Sequence, residues 1–288
     1  MTLEYWFMLP VAALFSALAM AFGVGSATFH TPFLILALGM SPEVAIASGL
    51  MAEVFGFASG SIAYSRRKLI DYRLGLMLLV ATMPMAVLGA WVAGVVDADI
   101  LKLLLGGGLF IVAVSFLRSP GKEKKKVPRL VCEGEDKCTR LKAERCITTA
   151  DGHRYCYTFC HRYEGLTLAG LGGLFLGMIS TGLGELDDYF FLRRCRMPSS
   201  IAVATSVFII AFTALAGSGG HIVRFAQAGG DELSTVLAIA AFAVPGAIVG
   251  ALLGVRVSVR IPEKVLVRSM GILFLVVAGL TLGEALLR

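Results

Sequence analysis

The stretch "STGLGELDD" (Ser180–Asp188) sets Thr181, Glu185, Asp187 and Asp188 around Gly182 and Gly184, beside the apolar run 166–184. Far upstream, "FGVGSATFHTPF" (Phe22–Phe33) sets Ser26, Thr28 and His30 around Gly23, Gly25 and Pro32. Hydroxyls and a histidine donate hydrogen bonds to a small oxyanion. A carboxylate repels one unless protonated, and burial raises the pKa of a carboxyl group. Glu185 is therefore the first candidate for coupling proton movement to anion movement. Asp187 is a second candidate, although Arg193 and Arg194 are near enough to make Asp187 and Asp188 an ion-pair cluster. Glu53, about three turns into the run 42–64, is an isolated acid in an apolar segment and a third coupling candidate. Glu43 is expected to be wetted near its helix end. His221 and Arg224, after "GSGG", read as an anion-attracting vestibule or as an interfacial loop.

These groups stand in a chain that belongs in lipid. Of 288 residues, 57% are hydrophobic and 16% charged, and the mean hydropathy is +0.81. A soluble domain of this composition would leave too much apolar surface in water. The net charge of +6 collects in short loops, so it orients a membrane protein and gives no sign of nucleic-acid binding. Residues 1–22 also admit a cleaved signal peptide. Against that reading, the run opens with Glu4 and no Lys or Arg, and it has a partner later in the chain.

Apolar runs cover residues 5–22, 26–39, 42–64, 73–96, 99–117, 166–184, 186–192, 201–217, 233–254 and 265–284. They fall into two blocks, residues 1–117 and 166–288, joined by a charged, cysteine-bearing linker at 118–165. Met40–Gly60 lies over Met197–Gly217 without a gap. Met40, Ala45, Ala47, Phe55 and Gly60 recur as Met197, Ala202, Ala204, Phe212 and Gly217. The same register sets Gly25 on Gly182, Thr28 on Glu185, His30 on Asp187 and Glu53 on Ile210. "PMAVLGA" at Pro84 recurs as "PGAIVGA" at Pro245. The common order of these matches implies a duplication.

Positive loops at Ser65–Arg73, Lys122–Lys126, Arg193–Arg196 and Arg256–Lys264 are expected in the cytoplasm; the acidic turns Asp97–Asp99 and Gly229–Glu232 are expected outside. Both termini then lie outside, and the halves run in opposite senses. The predicted fold is an all-α polytopic membrane protein of about eight transmembrane segments. It has two inverted-topology repeats, each a glycine-broken re-entrant segment followed by three membrane helices. Inverted repeats are a habit of secondary transporters. Breaks at membrane depth survive where they line a cavity, and the helix that follows presents its N-terminus to it. Glycine and proline also serve close packing in membrane helices.

The glycine-rich breaks, the "A-x-A-[ST]" helix starts (Ala45–Ser48 and Ala202–Thr205) and the Pro84 and Pro245 helices resemble the sulfite exporter TauE/SafE family of bacterial transporters. The likeness covers residues 5–117 and 166–284. It implies a duplicated helical fold in the bacterial inner membrane and movement of sulfite, sulfonates or related organosulfur anions. The first break here is "GVGSATFHTP", shorter in glycine than is usual in the family, and acids replace the commoner Gly-Pro pattern of the second.

The linker holds Cys132, Cys138, Cys146, Cys156 and Cys160, with His153 and His161. In a reducing cytoplasm, Cys156, Cys160 and His161 are candidate ligands for zinc, although the spacing of the other cysteines fits no familiar zinc pattern. A polar or regulatory insert is the plainer reading, and disulfides are favoured if the loop faces an oxidising side. No other cofactor is expected. "GxxxxGK[ST]" is absent, so an ion or proton gradient is the expected driving force. The expected function is secondary transport of a small anion by a non-enzyme, with the bilayer as surroundings and homo-oligomerisation left open. A cation channel or carrier using the carboxylates, and a membrane thiol protein using the insert, are the competing readings.

Overall fold

In the computed structural model, the described residues are 5–118, 145–150, 152, 154–157, 162–188, 190–191, 195, 197–229 and 231–257, with isolated helical positions between 272 and 283. The elements are α1 (Met8–Phe22), α2 (Ala27–Leu38), α3 (Pro42–Arg66), α4 (Tyr72–Ala93), α5 (Ala98–Arg118), β1 (Arg145–Thr148), β2 (Arg154–Tyr157), α6 (Arg162–Ile179), α7 (Leu183–Asp188), α8 (Ser199–Ala228) and α9 (Glu232–Val257). Among the described residues, α3, α4, α8 and α9 are long and apolar enough to cross a membrane. Their outward faces carry large apolar side chains such as Leu76, Val80, Leu88, Leu215 and Val249, while Ser48, Glu53, Thr82, Ser206 and Thr213 are buried. That polarity suits lipid as the solvent.

Helix ends follow from local chemistry. Gly23 closes α1 in the left-handed conformation (φ 78°), donating its N–H to Ala19 O at 2.9 Å. Pro42 opens α3 at its first turn. Asp71 caps α4, its side chain accepting from Leu74 N–H at 3.1 Å. Two predicted boundaries move. The apolar run 166–184 is broken earlier than its composition suggests, since α6 ends at Ile179 and α7 starts at Leu183. The run 201–217 continues to Ala228, straight through "GSGG". Glycine is helical there because a Cβ on Gly220 would come 2.9 Å from Ala90 Cβ; close approach to α4 requires the small residue.

Lipid tails are as apolar as the helix faces, so close backbone packing must hold the bundle together. Gly246, Gly250 and Gly254 of α9 lie against the backbone of Leu9, Ala13 and Ala17 of α1. Gly173 and Gly177 of α6 lie against Thr82 and Ala86 of α4. In each pair residue numbers rise together, so the helices are parallel. Each pair also joins the first helix of one block to the helix of the other that bears Pro84 or Pro245.

The remaining directions follow from similar contacts. A Cβ on Gly60 would sit 3.7 Å from Val207, and one on Gly217 would sit 3.6 Å from Leu50. Helices α3 and α8 therefore cross antiparallel. In the expected repeat register, which sets Gly60 on Gly217 and Leu50 on Val207, these two contacts correspond. Asp71 with Thr205 and Thr82 with Thr213 set α4 parallel to α8. Val44 packs in one cluster with Val236, and Gly56 lies on Ala247, so α9 runs parallel to α3. Helix α2 runs against α3, with Ala27 at Glu53 and Thr31 at Gly49. Helices α1 and α2 thus form a hairpin that reverses at residues 23–26. Each arm is about 18–22 Å long, short of the roughly 30 Å hydrocarbon core.

One end of the bundle gathers Arg66, Arg67, Lys68, Arg73 and Arg256; Asp97, Asp99, Asp231 and Glu232 lie at the other. At the basic end the linker forms a β-hairpin, with Cys146 opposite Cys156 in its register. No strand was expected there. It docks on the α3–α4 connection, where Ala150 N–H donates to Arg67 O at 3.1 Å and buried Tyr157 donates its hydroxyl proton to Asp71. Cys146 and Cys195 are both disulfide-bonded, which departs from the expectation of reduced thiols. The other five cysteines all lie in the linker, so within one chain Cys195 must be bonded to it. Of the zinc candidates, Cys160 and His161 lie outside the described residues, as does the Cys156 side chain.

Candidate functional site: two helix breaks in contact

Both breaks owe their shape to residues that leave helical geometry. In the second, Ser180 (φ 57°) and Gly182 (φ 106°) are in the left-handed half of conformational space. Ser180, a non-glycine residue in that region, is held by two contacts. Its Oγ bonds its neighbour's carbonyl, Ile179 O, at 2.7 Å and Thr31 Oγ1 at 2.6 Å.

The breaks touch each other. Thr28 Oγ1 lies 3.2 Å from Thr181 Oγ1 and 3.5 Å from Ser180 O. A Cβ on Gly184 would come 3.0 Å from Gly23 O and 3.3 Å from Val24 Cα. Thr28, Thr31, Ser180 and Thr181 are all buried, at 2% exposure or less. Thr31 and Ser180 are site residues that the sequence reading passed over. Thr31 was legible as the i+3 neighbour of Thr28 on the same helix face.

Of the predicted residues, Gly23, Thr28, Thr181 and Gly184 make this junction directly. Gly182 lies on Phe175, where a Cβ would come to 3.2 Å. Ser26 stands at the α2 N-cap, fully buried, and its Oγ has no hydrogen-bond partner among the described residues. His30 turns away from the junction. Its Nδ1 meets Ser26 O at 2.8 Å, and its ring meets the Phe15 ring edge-on at 5.3 Å between centroids. Asp187 is buried, at 2% exposure. The Glu185 and Asp188 side chains lie outside the described residues.

Glu53 occupies the start of α2. Its Oε2 accepts the Ala27 N–H at 2.6 Å, and the residue has no solvent exposure. The first N–H groups of a helix lack intrahelical acceptors and carry partial positive charge, which explains the attraction. Gly25 makes room for it, since a Cβ there would come 2.8 Å from Oε2. Its backbone is not left-handed, so the reason for glycine is space.

His221 and Arg224 lie within α8, which corrects the loop reading. His221 is buried, with Nε2 2.9 Å from Gly177 O. Arg224 pairs with Glu43 and lies over the Phe225 ring, 5.0 Å from its centroid. The sequence reading's wetted acid and vestibule arginine are thus an ion pair tying α3 to α8.

Apolar helices facing outward, polar groups inside and paired helix breaks in contact define a multi-pass helical membrane protein. The family model described as "Sulfite exporter TauE/SafE" matches residues 8–282, and the chain belongs to that family. It is 24% identical over 185 residues to the "Probable membrane transporter protein YunE" of Bacillus subtilis (strain 168), covering 64% of this chain and 63% of that one. Against the "Probable membrane transporter protein YtnM" of the same organism it is 33% identical over 118 residues, 39% of this chain and 38% of that one. The matches span less than two thirds of these relatives' lengths.

Proposed function

We propose that this protein is a secondary transporter of a small oxyanion, sulfite, a sulfonate or a related organosulfur anion, in the bacterial inner membrane. The observation that carries the reading is the junction of the two breaks, Thr28 against Thr181 and Gly184 against Gly23. There a helix start with polarised N–H groups and buried hydroxyls converge from both blocks, a composition that suits a dehydrated anion. The carboxylate of Glu53 accepting a helix N–H supports an anion preference at this terminus over a cation site. Membership in a family named for sulfite export supports the substrate class.

Transport then proceeds by alternating access between two inverted repeats, the α1–α2 hairpin serving as a re-entrant segment. The antiparallel crossing of α3 and α8 and the doubled Gly60–Val207 and Gly217–Leu50 contacts support that symmetry. The basic end, with the linker, faces the cytoplasm, and both termini lie outside. Gly23, Gly25, Ser26, Thr28, His30, Thr181, Gly182, Gly184 and Glu185 form the substrate region, and Glu185, Asp187 and Glu53 supply carboxyls for proton coupling.

The test is uptake into proteoliposomes with a panel of anions and cations, with and without a pH gradient. Sulfite or sulfonate flux is expected. Metal-cation flux with no anion movement would overturn the reading.

A further inference from the structure

The α2 start already holds an acidic group, the Glu53 carboxyl of the chain itself. Glu53 Oε2 accepts the Ala27 N–H, the carboxylate is sealed from solvent, and Gly25 is hollowed to receive it. A purely local helix cap would explain a carboxylate there if this kind of break needed one. The second block differs at the matching positions. Ala27 and Glu53 map, in the register of the duplication, to Gly184 and Ile210, and a Cβ on Gly184 would meet Ile210 Cδ1 at 3.2 Å. Helix α7 starts against that isoleucine, an apolar residue where α3 has the Glu53 carboxyl group. A polar group also remains over at α2: Ser26 Oγ at the N-cap, fully buried and without a partner among the described residues. A single carboxylate oxygen on Ala27 leaves this donor idle. An oxyanion with three oxygens has an acceptor for each.

We propose that the start of α2 is an oxyanion-binding site, built from Ala27 N–H and Ser26 Oγ, which Glu53 fills as a tethered occupant and which an entering anion takes by displacing it. This rests on the anion-transport reading and adds to it the competitor that every incoming anion must replace. The site recognises small, trigonal or pyramidal oxyanions, so free carboxylates as well as sulfite and sulfonates fall within its chemistry. Tethering favours Glu53 whenever no anion is loaded, because its effective concentration at the site is high. Removing the tether therefore tightens binding of a free anion, provided the site itself survives.

The experiment uses the full-length protein purified in detergent, as wild type, Glu53→Ala and Glu53→Gln. Sulfite, methanesulfonate and formate are added in turn, with thermal unfolding and titration calorimetry as readouts. Formate is expected to raise the Tm of Glu53→Ala, whose vacated carboxylate position it fills, and to leave the wild type unmoved. Sulfite is expected to bind Glu53→Ala at least tenfold more tightly than wild type, in competition with formate. Equal sulfite Kd in the two proteins, or no response of Glu53→Ala to formate, overturns the proposal. Should Glu53→Ala fail to fold, Glu53→Gln decides. It keeps an acceptor for the Ala27 N–H and loses the charge, so sulfite binding several-fold tighter than wild type is expected and an unchanged Kd overturns the proposal. Formate stabilisation of Glu53→Ala with no binding of sulfite or methanesulfonate to any protein upholds the tether and sinks the sulfur-anion reading.

Discussion

Ala27 and Glu53 are joined by an N–H to carboxylate bond of 2.6 Å, whereas Gly184 and Ile210, their counterparts in the second block, meet through apolar contact. The two blocks differ at this matched position. At these matched positions one helix start meets a carboxyl group and the other an isoleucine.

The junction hydroxyls should be energetically coupled. Thr28→Val, Thr181→Val and the double variant form a cycle in which the 3.2 Å contact is the shared term. A coupling of about 0.5–1.5 kcal/mol is expected from reversible denaturation in mild detergent. Strict additivity would show that the breaks do not support each other.

Packing along α1 and α9 should not tolerate side chains. Gly250 lies on the Ala13 carbonyl, while Gly107 of α5 has nothing within 4 Å of its missing Cβ. Gly250→Val is expected to cost at least about 1–3 kcal/mol, and Gly107→Val far less. Size-exclusion profiles and detergent melts of the two variants make the comparison, and equal losses would contradict the assigned helix contacts.

Docking of the β-hairpin should depend on Tyr157. Its hydroxyl bonds Asp71, which also caps α4. Tyr157→Phe removes a hydrogen bond to a carboxylate, worth about 1.5–3 kcal/mol. Faster protease cleavage within the linker is expected, with the helical bundle intact. Unchanged cleavage would show that the hairpin is held elsewhere.

Cys195 should be unreactive to alkylating agents until reductant is added. Its bonding partner within the chain lies in the linker, so reduction or Cys195→Ser frees the linker from the segment between α7 and α8. The result bears on compartment too. Basic ends mark the cytoplasm, whereas disulfides persist in oxidising surroundings, and this end of the bundle carries both signals.

Membrane residence was legible in the sequence because lipid demands long apolar runs, and such runs survive inspection one residue at a time. The expected repeat rests on Met40–Gly60 and Met197–Gly217 aligning without a gap, and Gly23, Gly25 and Gly182 marked the breaks because few other residues permit those conformations or that space. The cysteine linker gave no strand signal strong enough to read. Its hairpin docks on the α3–α4 connection, a contact made far away in sequence.

What tertiary structure alone decided is who meets whom. Composition could not tell that α8 runs through "GSGG", because the reason is Ala90 on another helix. Nor could it tell that Arg224 answers Glu43, or that Thr31 answers Ser180, contacts made across more than a hundred residues. The sharpest case is Glu53. By itself the sequence determined that an acid lies deep in an apolar helix, and ranked it behind Glu185, which sits inside a break. Only the antiparallel packing of α2 on α3 brought that acid to the start of α2, where the Ala27 N–H lacks an intrahelical acceptor and a carboxylate supplies one.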